Sequence, residues 1–122
     1  MAPYLPPGWP SAVQAPESSD FEATAAAWLL DVLPPGYREQ QRAARYAVGL
    51  ATIARHHTEA CVAGARQGYR SIRAELEGHV PTHEIGAVLE AYQEEGRKLV
   101  ATARAVFLVE QALRGVRFTP KL

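Results

Sequence analysis

Proline placement constrains this chain more than any other feature. The nine prolines stand at positions 3, 6, 7, 10, 16, 34, 35, 81 and 120, leaving two long proline-free stretches, 36–80 and 82–119. Proline has no amide donor and clashes with the preceding helical turn, so helices end where it falls. Ala, Leu, Arg, Glu and Gln dominate both stretches, and these residues lose least on entering a helix. The pattern predicts an all-α chain with helices over about 20–33, 38–77 and 82–114. The two long helices, joined by Gly78-His79-Val80-Pro81, form an antiparallel helical hairpin.

The first helix has its own signals. Ser19-Asp20-Phe21-Glu22 reads as a capping box with Ser19 at N-cap and Glu22 at N3. Phe21, Ala25, Trp28, Leu29 and Val32 then share one face, and Pro34-Pro35-Gly36 closes the helix. Residues 1–18 hold five of the nine prolines and predict an extended tail. Tyr4 and Trp9 make it a docking tail, either folding back onto the helices or a partner subunit or entering another protein's groove. Gly115 ends the third helix, and 116–122 form a short C-terminal tail. The whole is one domain of 122 residues.

A short hairpin turn sets a register in which facing positions sum to about 160. Gly64 then faces Gly96, where two backbones could approach closely, and Gly68 lies under the ring of Tyr92. Arg114 faces Tyr46, so Arg38 to Arg45 project past the end of the third helix, with a kink or break possible over Ala43–Gly49. The third helix carries a heptad seam: Ile85, Leu89, Tyr92, Gly96, Leu99, Ala103, Val106, Glu110 and Leu113. Val88, Val100, Phe107 and Val109 widen that apolar surface beyond what one partner helix covers. Meanwhile the chain has 22 Ala but only 27 Leu, Ile, Val and Phe together, too few large residues for a thick private core. These features predict a homodimer in which a second copy completes a helical bundle.

Charge adds a second layer. Lys+Arg and Asp+Glu are 13 each, so the net charge is zero, which argues against a general nucleic-acid binder. The balance hides a division: residues 38–77 carry seven Arg against four Glu, and residues 1–37 carry four acids and no base. Arg66, Arg70 and Arg73 fall on one side of the second helix, a candidate face for an anion or acidic partner, or else a solvated face or a set paired with Glu90, Glu94 and Glu95. A nucleic-acid-associated regulator using these three arginines is the least supported alternative, because neither long helix is a short recognition helix.

The candidates for chemistry are few. His57 and Cys61 stand at i, i+4 on the inner face of the second helix, a spacing that can present two ligands to zinc or a small ligand. Two copies could supply four ligands; the plainer alternative is a core histidine beside a small buried thiol. Glu95 and Glu110 fall near the apolar seam, where a carboxylate accepts a hydrogen bond from His57, Tyr46 or Tyr69 or specifies register. No P-loop, dinucleotide, nucleophile-elbow or zinc-protease motif is present, so no catalytic residue is assigned and no cofactor is expected beyond the zinc alternative. Cys61 is the single cysteine, which excludes an intramolecular disulfide and fits a reducing compartment. Without an apolar run of ~20 residues or a basic, apolar leader, the expected location is cytoplasmic and no membrane partner is expected. The expected function is a non-enzymatic protein–protein interaction or scaffold module, possessing an unidentified protein partner and acting as a homodimer.

Overall fold

The computed structural model describes residues 3–121, and among these there is helix and turn but no strand. The helices are α1 (Phe21–Val32), α2 (Gln41–Ala44), α3 (Ala47–Leu76) and α4 (Thr82–Leu113), with a 3-10 turn at Pro35–Glu39 before α2. Helices α3 and α4, of 30 and 32 residues, pack along their length as the antiparallel hairpin. At 1.5 Å per residue each is roughly 45 Å long or slightly more.

Every seam residue expected on α4, from Ile85 to Leu113, is buried or half-buried. Helix α1 presents Phe21, Ala25 and Leu29, at i, i+4 and i+8, to the first turns of α3 and the last turns of α4. There Leu29 and Leu33 pack with Leu50, Ala51, Ala54, Val106, Val109 and Ala112 in one cluster. Full burial of a leucine such as Leu29 stabilises by about 1.5–3 kcal/mol. The core therefore sits at the open end of the hairpin, opposite its Gly78 turn. Toward that turn the hairpin is only two helices thick, and Ile85 and Leu89 are buried outside the main cluster.

The helix expected over 38–77 is interrupted. Tyr46 adopts an extended conformation (φ −122°, ψ 118°), so α3 begins at Ala47 and only the four-residue α2 survives upstream. The break falls where the register runs out of α4 to pack on, beside Arg114. Most helical stability comes from tertiary packing, and α2 has no buried residue to supply it. An Arg38–Asp31 ion pair ties the 3-10 turn back to α1.

The capping box does not form. The N-cap is Asp20, without a side-chain cap, because Ser18 has already turned the chain: its hydroxyl accepts the Asp20 amide (3.1 Å) and its carbonyl the Phe21 amide (3.2 Å). The end of α4 matches expectation closely. Gly115 has φ +97°, its amide reaches the Ala112 carbonyl, and the Val116 amide reaches that of Gln111, a Schellman ending.

The N-terminal tail is not a free extended strand. Trp9 donates Nε1–H to the Val13 carbonyl (2.9 Å) and lies 6.1 Å from the Phe21 ring and 6.4 Å from that of Phe118. Val13 enters the core, and the Gln14 amide reaches the Thr24 hydroxyl at 3.0 Å. Trp9 is thus turned inward by the chain's own helices, and Tyr4 stays exposed. No helix among the described residues is long and apolar enough to cross a membrane.

Candidate interaction groove and the buried seam carboxylate

Glu110 is the most constrained polar group in the chain. Its place in the heptad seam buries it to 1% exposure between α3 and α4. Arg55 Nε donates to Oε1 at 2.6 Å, and Arg114 donates to Oε2 from Nε (3.3 Å) and Nη2 (3.1 Å). Thr52 Oγ1 donates to Oε2 at 3.0 Å and accepts from Arg114 Nη2 at 2.7 Å. Burial by itself would raise the carboxyl pKa, but the hydrogen bonds from Arg55, Arg114 and Thr52 outweigh it and hold Glu110 below the usual carboxylate range. The same contact raises the Arg55 guanidinium above its ordinary value. Both carboxylate oxygens are engaged, Oε1 by Arg55 and Oε2 by Thr52 and Arg114, so Glu110 ties α3 to α4.

The partners anticipated for this carboxylate were His57, Tyr46 or Tyr69. The structure supplies Thr52, Arg55 and Arg114 instead. Part of the signal was present in the register, because Thr52, at a sum of 162, lies within one turn of the expected pairing, while Arg55, at 165, lies just over one turn from it. Glu95, the other acid expected at the seam, is exposed and pairs with Lys98 at 3.2 Å. It stands one residue before Gly96, hence about 100° off the seam, on a stretch of α4 that no third helix covers.

His57 and Cys61 do meet: Cys61 Sγ lies 3.7 Å from His57 Nε2, and both are half-buried. Among the described residues no third His, Cys, Asp or Glu joins them. Two ligands from one chain do not close a zinc site, which takes four, or three and a water.

The glycines behave in two ways. A Cβ built on Gly68 would run into the Tyr92 hydroxyl and lie 2.9 Å from Tyr92 Cζ, so the ring does sit over bare backbone. Tyr92 also donates to the Gly64 carbonyl at 3.3 Å. Gly64 and Gly96, in contrast, have no atom within 4 Å of such a Cβ. The space above both is open, with Tyr92, one turn before Gly96, reaching across from α4 to α3.

Beside Tyr92 a groove of about 450 Å³ runs between α3 and α4. Val62, Ala65, Tyr69, Tyr92, Gly96 and Val100 form its apolar floor, and Arg66, Arg70 and Arg97 stand around it. A shallower cleft continues it past Val62 and Val100 to Ala103 and Glu59. Val100 is 47% exposed, and Phe107, two turns further along the same face of α4, is 45% exposed. Arg97 is paired with Glu94 at 2.8 Å, and Arg70 holds only Gln67. Among the described residues Arg66, Arg70 and Arg73 form no ion pair, so the expected pairing with Glu90, Glu94 and Glu95 is not made. Arg66 and Arg70 flank the groove, while Arg73 lies in the last turn of α3, where a cation suits the helix dipole.

Comparison of the chain with protein-family models, with curated proteins and with solved structures gives no match.

Proposed function

We propose that this protein is a non-enzymatic interaction module of a reducing, cytoplasmic setting, acting through the bare face of its hairpin. One observation carries the reading: a largely apolar groove runs between α3 and α4 on a stretch that α1 does not reach. At the open end of the hairpin a third helix completes the packing; beyond it Val100 and Tyr69 lie exposed. Contiguous exposed apolar surface rimmed by charge is the usual mark of a binding face. Glu110 does not compete as a catalytic group, since its hydrogen bonds are spent on the fold.

Homodimerisation is the second reading. Exposed Val88, on a different flank of α4, favours it by offering a further apolar contact. Groove-to-groove pairing of two copies, however, would bring two arginine rims together.

A photo-crosslinking side chain placed at Val100 of the full chain in its native host tests the proposal. A discrete adduct from Val100, with none from the outward-facing position Ala101, supports it. An adduct of twice the chain mass assigns the face to a second copy. No adduct from either position removes the reading.

A further inference from the structure

Resting on the interaction reading above, we infer that the groove takes an acidic amphipathic α-helix from another protein, about three turns long, as the missing third helix of the hairpin. Three features decide the occupant. The first is shape. The groove and its continuation run from Arg70 and Tyr92 to Glu59 and Ala103, twelve residues of α3, or roughly 16 Å of helix axis. It is an open trough between two helices rather than an enclosed cavity. A small ligand there would stay largely wet, whereas ligand pockets bury about 70–90% of what they hold. A helix laid along the trough buries one stripe and leaves its other face in water, as helix-in-groove recognition requires.

The second feature is charge. The main groove is flanked by three arginines and no acid, and only Arg97 has a carboxylate partner. Arg66 and Arg70 are one turn apart on the same rim, so they oppose carboxylates spaced at i, i+3 or i, i+4 on a facing helix. Guanidinium groups take carboxylates through paired hydrogen bonds, which gives orientation as well as attraction. The third feature is the floor. Gly96 leaves room above α4 for a Leu or Ala side chain, and Tyr69 and Val100 bound that space as apolar walls. The occupant is therefore a helix with a Leu/Ala stripe flanked by Glu.

The test uses the full chain and a fluorescent, hydrocarbon-stapled 18-residue peptide with a Leu/Ala stripe flanked by Glu, beside the same peptide with Lys for Glu. Anisotropy titrations should show saturable 1:1 binding, at least tenfold tighter for the Glu peptide, and weaker as salt rises. The R66E/R70E chain should reverse that preference. Gly96→Leu should abolish binding of both peptides while raising the Tm, since it fills the groove and improves the helix; lost binding then cannot be put down to lost folding. Equal affinity for the two peptides, or a preference that survives R66E/R70E, overturns the inference. So does saturable binding of dodecanoate that displaces the peptide, or sedimentation showing the groove already closed in a dimer. A Val100 adduct in the host together with no Glu-peptide preference would leave the interaction module standing and remove only its acidic helix.

Discussion

The two ends of the hairpin are built from the same helices but are stabilised differently. At the open end, α3 and α4 are covered by α1 and by the tail residues Trp9 and Val13, and Leu29, Leu50, Val106 and Val109 are wholly buried. Toward the turn the same two helices have only each other, and Tyr69, Val88 and Val100 remain exposed. A two-helix pair buries one stripe from each partner, so its outer apolar residues contribute little to folding and are free to contribute to binding. The comparison teaches that the thick end holds the fold and the thin end presents it.

The contrast can be broken by substitution. Leu29→Ala should cost about 2–5 kcal/mol in urea or thermal unfolding, because the cavity it leaves is sealed by α3 and α4. Equal losses at Leu29 and Val100 would erase the distinction between the ends. Glu110→Ala comes next, at about 2–3 kcal/mol, below the cost of breaking a fully enclosed pair because Arg55 and Arg114 retain access to water. Its pH dependence has a definite sign. The folded carboxyl is held below its unfolded pKa, so its contribution is complete above the ordinary carboxylate range and is lost as pH falls through the folded value. Glu110→Gln should therefore flatten the acid limb of a stability–pH curve; an unchanged limb would show that other carboxylates set it.

The glycines sharpen the same comparison at smaller scale. Gly68→Ala should destabilise by about 1–2 kcal/mol despite the better helix propensity, since the new methyl collides with Tyr92. Tyr92→Leu should restore part of that loss in a double-variant cycle. Gly64→Ala, with open space above it, should stabilise by about 0.5–1 kcal/mol. If the two glycines respond alike in thermal melts, the Tyr92 ring does not press on the Gly68 backbone. The smallest effect is expected at the groove wall: Val100→Ser should change unfolding free energy by no more than about 0.5 kcal/mol.

Much of this architecture is legible in the amino-acid sequence. The prolines mark the helix ends, the heptad spacing on α4 names the seam, and the turn at Gly78 places Tyr92 over Gly68. The features that differ have separate reasons. The capping box at Ser19 yields to a local turn that Ser18 makes first. The break at Tyr46 falls within the Ala43–Gly49 window anticipated for the second helix, where α4 ends beside it. Glu95 and Glu110 both fall near the seam, yet one is exposed and the other buried, because Glu95 stands about 100° off the seam and Glu110 lies in it. His57 and Cys61 could be placed together from their spacing; whether other ligands converge on them could not.

By itself, then, the sequence determined the all-α class, the hairpin and its register, because proline, glycine and apolar periodicity act locally along the chain. Only the tertiary structure decided which apolar residues are core and which are surface. Phe107 and Val109 are two residues apart at the same end of one helix; Val109 is sealed in the cluster with α1, and Phe107, on another face, is exposed. Burial depends on what lies across from a side chain, and α1, at 12 residues, covers one face at one end of a hairpin whose arms are 30 and 32 residues long.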